Sequence, residues 1–382
     1  MRKSNHWWRR RRWPPSWAPR VSAVAALMAL LSSGAALAVD RAHTLNIYAW
    51  PDYFPRALID KFQTETGIHV NYAVMDSPEM AETLLSVGHS NYDLVTMNAS
   101  PQLAREIPKG FWKKLDRTKI PNARNADLKI MNLLQAADPG NQYALPWMWG
   151  TAGILYNRDK ILKLVPNAPL DSLDMILRKD LASKFAACGI SILDSWGDIL
   201  PMVAHYLGQP RLSTDPKALA AVVAKLQEIK PYISRIASSG YYQQMAGGDL
   251  CLAIGYSGDA MIAKRMIKEG NSQIHVDYSF ARENVPFYID TLAVPADSPN
   301  PAAAELFIDF FMRPEVSAAV TRFIGFATGN AAAVALLEPA VRDNAVIYPP
   351  TSVRDRMALQ PVYSAEDMRI FTRAWQQVKS GN

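Results

Sequence analysis

Three segments of the sequence place aromatic rings beside carboxylates, and none of the residues concerned is basic. They are Trp50, Asp52, Tyr53, Tyr256, Asp259, Tyr288 and Asp290. An ammonium group gains from a charge-assisted hydrogen bond to a carboxylate and from an aromatic face, the latter worth roughly 0.5–2 kcal/mol. Together these residue types suit a cation that carries an alkyl body.

The first of these segments follows a predicted strand. Leu45, Ile47 and Ala49 alternate with other residues and would face one side of the strand. Pro51 cannot donate a hydrogen bond to a sheet, so the strand should end there. Ligands bind at the carboxyl ends of strands in open α/β sheets, which is where the following rings and carboxylate would lie.

Residues 54–97 indicate which helices and strands surround this first strand. Leu58 and Phe62 have helical spacing, Gly67 ends that helix, and further strands are predicted at 68–73 and 93–97. Alternating strands and helices predict a parallel doubly wound sheet.

Later segments contain further predicted elements. The run 143–157 is rich in aromatics and glycines and poor in charge, which is typical of a buried crossing between two lobes. Short strands are predicted at 251–254 and 287–295. Helices are predicted at 171–181, 194–207, 217–230, 260–269, 301–311, 314–324 and 369–378.

The formal net charge of +6 arises from the basic residues of the amino-terminal segment. Residues 1–38 contain seven basic side chains and no acidic one, so the remainder has 34 basic against 35 acidic groups, a net charge of −1. Nothing in that balance favours nucleic-acid binding.

The same segment is typical of a signal peptide. A basic head precedes an apolar run at 21–31, and Ala36-Leu37-Ala38 is a small-x-small cleavage pattern. We predict export with cleavage after Ala38; the alternative is a membrane anchor. The four consecutive arginines leave both the general and the twin-arginine export routes open, and the absence of a nearby cysteine disfavours a lipid anchor.

The chain has two cysteines, Cys188 and Cys251. In an oxidising compartment such a pair favours a disulfide, which would stabilise the fold by roughly 4 kcal/mol in the chain-entropy model. The alternative is two small buried thiols.

Other chemistries receive little support. The six histidines are widely separated, so no metal site is predicted. There is no Walker loop or dinucleotide fingerprint, hence no cofactor, and 255–259 lacks the second glycine of a nucleophile elbow. The enzyme alternative is a secreted hydrolase using carboxylates such as Asp52, Asp198, Asp259 and Asp290.

Five motifs give the chain a family resemblance. They are 45–53 (LNIYAWPDY), 92–95 (YDLV), 145–151 (LPWMWGT), 251–259 (CLAIGYSGD) and 348–350 (YPP). In this order they resemble the periplasmic polyamine-binding proteins of ABC importers, most closely the putrescine-binding branch. The resemblance implies a non-enzymatic, monomeric protein with a bilobal type II periplasmic-binding-protein fold, in which two α/β lobes joined by two crossovers close on a ligand. Lobe 1 would comprise 42–147 and 270–322, and lobe 2 would comprise 148–269 and 323–382.

The resemblance also implies which residues bind the ligand. They are Trp50, Asp52, Tyr53, Asn98, Asp198, Ser238, Tyr256, Asp259, Tyr288, Asp290 and Phe326. Asp259 and Asp290 would hold one ammonium, and Asp198 and Asp52 the other, with water between Asp52 and the ligand. The resemblance pairs Cys188 with Cys251 as well. Each assignment has an alternative. Asp259 and Asp290 could instead cap helices or pair with Lys264 and Arg265, and Asp198 could interact with a helix dipole. Phe326 could be a core residue.

Several positions depart from the family pattern. Tyr256 stands where Trp is usual, Tyr288 and Phe326 exchange the usual Phe and Tyr, and Asp198 replaces a Glu. Gln360 is closer to the spermidine binders. The expected ligand is therefore putrescine, followed by spermidine, cadaverine or agmatine. The expected partner is an inner-membrane ABC permease; the runner-up within the binding class is a sensor that presents the ligand to a receptor.

Overall fold

Strands and helices alternate at the start of the computed structural model, which describes residues 43–75 and 78–381. The elements up to residue 157 are β1 (Thr44–Ala49), α1 (Arg56–Thr66), β2 (His69–Val74), α2 (Pro78–Val87), β3 (Leu94–Asn98), α3 (Ala104–Glu106), α4 (Leu128–Leu134) and β4 (Ala144–Asn157). Gly67 caps α1 in the left-handed conformation, as predicted for the end of that helix.

The middle of the chain is mainly helical and its strands are short. Its elements are α5 (Arg158–Leu164), α6 (Asp174–Leu177), α7 (Lys179–Phe185), β5 (Ile190–Ile192), α8 (Trp196–Tyr206), α9 (Pro216–Ile229), β6 (Arg235–Ile236), α10 (Tyr241–Gly247), β7 (Leu252–Tyr256), α11 (Ser257–Glu269), β8 (Val276–Ser279) and β9 (Val285–Ala293). The helix predicted at 171–181 is wrong, since Arg178 has extended backbone and separates α6 from α7.

Two helices of eleven residues follow β9, and each begins with a proline in its first turn. The remaining elements are α12 (Pro301–Phe311), α13 (Pro314–Ile324), β10 (Ala327–Thr328), α14 (Ala331–Val334), α15 (Pro339–Arg342), α16 (Thr351–Arg354), β11 (Met357–Leu359) and α17 (Ala365–Ser380). The ends of α12 and α13 match their predicted bounds.

Within the described residues, eleven strands form one mixed sheet with the main order β2-β1-β3-β9-β4-β7-β5-β6. β1 pairs in parallel with β2 and β3, as the strand–helix alternation predicted. β9 is antiparallel to both β3 and β4. The prediction of a parallel sheet therefore holds for the first three strands and fails for the strand inserted beside them.

The described residues form three large hydrophobic core clusters, and each of them includes residues of β4. All fourteen residues of β4 are buried, as predicted for this aromatic and glycine-rich run. Its first half, with Leu145 and Trp147, packs with β1 and with helices α12 and α13. Its second half, from Ala152, packs with α5 to α11 and with α17. β4 thus runs through all three of these clusters.

Residues Arg41–Asn382 form one compact unit, and the lobe boundaries given above remain a prediction. β8 pairs with the second half of β4, whereas β10 pairs with its first half and β11 pairs with β9.

Cys188 and Cys251 form a disulfide, which confirms the predicted pair. The bond joins the short helical turn before β5 to the residue before β7, and these two strands are themselves paired. The predicted signal peptide, 1–38, lies outside the described residues. Over the part of the chain that the structure describes, no helix is both long enough and apolar enough to cross a membrane.

Candidate functional site

Strand β9 carries two of the predicted site residues at the centre of the sheet. Tyr288 and Asp290 are two positions apart, so their side chains leave the same face. In the sheet register Asp290 pairs with Asn98 of β3 on one side and Met148 of β4 on the other. Because β9 runs antiparallel beside β3, Asp290 lies at the carboxyl end of β3. Ligand binding was predicted at this edge of the sheet.

Asp290 is buried and held by residues that follow β1. The Tyr53 hydroxyl donates a hydrogen bond to its Oδ2 over 2.5 Å, and the Trp50 side chain is a second donor. The carboxyl group is 4% exposed. Burial raises the pKa of Asp290 to about 6, and the two hydrogen bonds partly oppose that rise.

Asp259 lies in the first turn of α11, which begins at Ser257, three residues before the helix predicted at 260–269. The Tyr241 hydroxyl donates to its Oδ2 over 2.5 Å. The side chain is 9% exposed, and burial raises the pKa of Asp259 to about 7 despite that hydrogen bond. Lys264 and Arg265 pair instead with Asp277 and Glu269, so the alternative that they neutralise Asp259 is wrong.

A third carboxylate approaches from α8. The Tyr256 hydroxyl donates to Asp198 Oδ2 over 2.9 Å. Asp198 lies in the first turn of α8, where its backbone N–H donates to the Oγ of Ser195. Asp198 therefore lies where it can interact with the dipole of α8, which was its alternative role, and it also contacts Tyr256, a predicted site residue.

Four aromatic rings join these carboxylates. The ring centroids of Tyr256 and Tyr288 are 5.3 Å apart, those of Tyr288 and Phe326 are 6.4 Å apart, and those of Phe326 and Tyr53 are 5.9 Å apart. All three contacts are edge-to-face, the arrangement that aromatic quadrupoles favour. We call Tyr53, Tyr256, Tyr288 and Phe326 the aromatic box.

Two glycines allow the box to close. A Cβ on Gly258 would lie 2.1–2.3 Å from three ring atoms of Phe326, and a Cβ on Gly150 would lie 2.5 Å from the Tyr288 hydroxyl. Both backbones are therefore in direct contact with a ring. A side chain larger than hydrogen would displace it.

The Tyr288 hydroxyl is buried without a hydrogen-bond partner among the described residues. This is the position at which Phe was expected from the family pattern, so the additional oxygen is a feature of this chain. An unsatisfied buried hydroxyl costs free energy, and an incoming polar group could recover it.

Within the part of the chain that the structure describes, no Lys or Arg side chain compensates the charge of Asp259 or Asp290. Burial is the leading influence on both pKa values, and no Lys or Arg side chain is among the causes that lower them. Across 43–75 and 78–381, this site included, no group of three or more His, Cys, Asp or Glu side chains could hold a metal ion. Buried carboxylates that face only phenols and aromatic rings can stabilise a cation that brings its own hydrogen-bond donors.

Comparison with known proteins agrees with this chemistry. A family model described as "Bacterial extracellular solute-binding protein" matches residues 57–347. The chain belongs to this family.

Two curated relatives of this solute-binding protein have names that state a ligand. The "Putrescine-binding periplasmic protein SpuD" of Pseudomonas aeruginosa is 40% identical over 350 residues, covering 91% of this chain and 95% of the relative. The "Putrescine-binding periplasmic protein PotF" of Escherichia coli is 37% identical over 340 residues, covering 88% of this chain and 92% of the relative. Both are named as periplasmic binding proteins.

A solved structure supports the fold. The "Putative spermidine/putrescine ABC transporter from Listeria monocytogenes" has a TM-score of 0.79 and 25% identity, covering 89% of this chain and all of that one. The solute-binding protein therefore has the predicted bilobal α/β architecture of type II periplasmic binding proteins.

The structure places the remaining predicted residues less centrally. Trp50, the second donor to Asp290, is only partly buried and contacts the core on both faces of the β1 region, and Asp52 is exposed at a positive φ of 63°. Asn98 accepts a hydrogen bond from the Ser100 backbone 3.2 Å away, which is a local turn contact. Ser238 lies in an exposed bend, apart from the contacts described above.

Sequence reasoning missed one residue of the site, Tyr241, and the contacts of another that it had named. Tyr241 holds Asp259, yet it lies eighteen residues earlier in the chain, on a different helix. Gln360 was noted for its residue type, but the structure adds its contacts: its backbone oxygen accepts from Ser100 Oγ, and its side-chain amide donates to the Gly197 oxygen, each over 2.5 Å. These contacts cross between segments, which no local spacing pattern reports.

Proposed function

We propose that this protein is the substrate-binding component of an ABC importer that captures a polyamine, with putrescine as the first candidate. The observation that carries the proposal is the pair of buried carboxylates, Asp259 and Asp290, which lie next to the aromatic box and have no basic partner among the described residues. A diamine supplies the missing positive charges and an apolar chain between them. The two putrescine-binding relatives favour the same ligand.

The carboxylates divide into two groups in this proposal. Asp259 and Asp290 hold one ammonium. Asp198, which approaches from α8, serves the other, and the exposed Asp52 assists through water. Each ammonium has three N–H donors, so more than one oxygen acceptor is needed for each.

The aromatic box contacts the methylene chain between the two charges. Edge-to-face rings enclose the chain, and their faces stabilise the adjacent ammonium groups. We also propose that Asn98 and Ser238 contact the bound ligand at the margin of the site. A ligand of the wrong length would leave a charge buried without its carboxylate, which is how chain length would be selected.

We further propose that the chain is exported, cleaved after Ala38, and works as a monomer in the periplasm. The two lobes close on the amine and present it to an inner-membrane permease. The lobe boundaries at 147/148, 269/270 and 322/323 belong to this proposal.

Calorimetric titration of the mature protein, residues 39–382, tests the function directly. Putrescine, cadaverine, agmatine and spermidine are titrated separately, and each mixture is then analysed for turnover of the amine. We expect tight one-to-one binding of at least one of them without product. No heat with any amine, or hydrolysis of a glycoside by the same preparation, would contradict the proposal.

A further inference from the structure

The hydroxyl of Tyr241 lies where two elements of the site meet. It donates to Asp259 Oδ2 over 2.5 Å and accepts from the Tyr256 backbone N–H over 2.8 Å. Asp259 is in the first turn of α11 and Tyr256 is the last residue of β7. One phenol oxygen therefore links the end of a strand to the carboxylate on the following helix.

The direction of this hydrogen-bond chain is fixed. A phenol has one hydrogen, and a backbone N–H can only donate. Since the Tyr256 N–H donates to the phenol oxygen, the phenol hydrogen is the one that reaches Asp259. Oδ2 of Asp259 is thereby occupied by a protein donor.

Tyr241 packs in a different core cluster from Tyr53, Tyr288 and Phe326 of the aromatic box. Its side chain is fully buried and packs in the core formed with the second half of β4. A Cβ on Gly255 would lie 2.4 Å from an edge carbon of the Tyr241 ring, so the strand backbone supports the ring directly. The phenol is held by packing before any ligand arrives.

We propose that Tyr241 is a positioning residue for ammonium recognition: it occupies Oδ2 of Asp259 and leaves Oδ1 to accept from the ligand. This inference rests on the proposed function and adds to it a residue that no family motif singled out. Tyr53 and Asp290 form a matching pair, but Tyr53 also belongs to the aromatic box. Tyr241 is not part of the aromatic box, so a Tyr241 variant tests the positioning of the carboxylate without removing a ring that contacts the ligand.

The hydrogen bond from Tyr241 also opposes the effect of burial on the pKa of Asp259. Other titratable groups influenced by the Asp259 charge are the phenols of Tyr53, Tyr242 and Tyr256 and that of Tyr288, whose pKa values are all raised above 10. None of these phenols changes charge near neutral pH. Asp290, with a pKa of about 6, also titrates in that range.

The test is Tyr241→Phe, with putrescine affinity measured by calorimetry from pH 5.5 to 8.5. Loss of a hydrogen bond to a charged group should weaken binding at pH 8 by at least about tenfold. The pH below which affinity declines should also rise by about one unit, because the carboxylate loses a donor that stabilises its ionised form. A purely structural role would lower stability and leave that pH unchanged.

Tyr278→Phe is the matched control. Tyr278 is buried, and its hydroxyl contacts Thr151 at Oγ1 over 2.9 Å and at the backbone oxygen over 3.0 Å, with no carboxylate involved. It should lose stability and keep the parent pH profile. If both variants show the same affinity and profile, the inference is wrong while the proposed function stands. If the parent binds no amine, both are wrong.

Should Tyr241→Phe fail to fold, 3-fluorotyrosine at position 241 tests the same point. Its more acidic phenol is a stronger donor to Asp259, so the pH of half-maximal affinity should fall below that of the parent. An unchanged pH would overturn the inference.

Discussion

Tyr53 donates a hydrogen bond to Asp290 across 237 residues of sequence, over a distance of 2.5 Å. The pair Tyr241–Asp259 has the same chemistry and the same length. Each buried carboxylate of the site is thus held by a phenol that cannot neutralise it. The charge is oriented but not compensated, which is the condition a cationic ligand requires.

Asp259→Asn should weaken amine binding and stabilise the ligand-free protein. The variant removes the partner of a buried ammonium, so binding should lose roughly 2 kcal/mol or more. The variant also has no charge to bury, and the pKa of Asp259, about 7 against an ordinary 3.8, indicates that ionisation in the fold is unfavourable. We expect the free energy of unfolding at pH 8 to rise by ~1 kcal/mol or more.

Calorimetry and denaturant titration at pH 8 measure the two effects. The matched control is Asp249→Asn, because Asp249 is exposed and should change neither quantity. An Asp259→Asn variant that binds putrescine as the parent does would remove Asp259 from the site.

Binding should weaken as the pH falls through 7 and then through 6. Burial raises the pKa values of Asp259 and Asp290 to about 7 and about 6 in the ligand-free protein. A bound ammonium favours the ionised carboxylates, so binding must release protons wherever they are still protonated. Affinity should fall by up to about tenfold per pH unit for each protonated group.

The same pKa shifts determine the sign of the effect on stability. The folded state holds these protons more tightly than the unfolded state. The free energy of unfolding of the ligand-free protein should therefore decrease as the pH rises from about 4 to about 7. Titrations in buffers of different ionisation enthalpy measure the released protons directly. Binding at pH 6.5 without proton release would contradict the assignment of these two carboxylates.

Much of the site edge could be predicted from local patterns. The alternation of Leu45, Ile47 and Ala49 identified the strand, and all three are buried in one core. Pro51 marked its end, and β1 does end at Ala49. The carboxyl ends of parallel strands meet at one edge of a sheet. The rings and carboxylates that follow these strands could therefore be predicted to lie close together without knowledge of any tertiary contact.

Contacts that depend on strand direction or on distant residues could not be predicted in that way. The residues of β9 give no sign that it runs antiparallel between β3 and β4, which is what places Asp290 beside Asn98. Tyr241 resembles any core aromatic in sequence. Asp259 was expected after a strand and before a helix, but α11 begins at Ser257 and includes it.

Tyr288→Phe should leave the ligand-free protein as stable as the parent or slightly more so. The hydroxyl has no partner within the described residues, so its removal breaks no hydrogen bond and relieves a buried polar atom. Tyr278→Phe provides the contrast, since that hydroxyl contacts Thr151 twice and its loss should cost about 1 kcal/mol. Urea titrations of both variants measure the difference. Equal destabilisation would mean that the Tyr288 hydroxyl is satisfied in solution.

Gly258→Ala should abolish binding while the protein still folds. The added methyl group would lie 2.1–2.3 Å from three ring atoms of Phe326, far inside van der Waals contact. Alanine itself suits the first turn of α11, so the helix should form and the ring should move. Displacing Phe326 breaks its contacts with Tyr53 and Tyr288 and opens the box.

The matched control for this change is Gly247→Ala. A Cβ at Gly247 would meet its nearest atom, Asp249 Oδ2, at an ordinary 3.6 Å. Circular dichroism should show both variants folded, and calorimetry should show putrescine binding lost in the first and kept in the second. If Gly258→Ala binds normally, Phe326 is not held against the helix, and the aromatic box does not contact the ligand as a unit. The single methyl group thus tests whether packing at the start of α11 is what shapes the site.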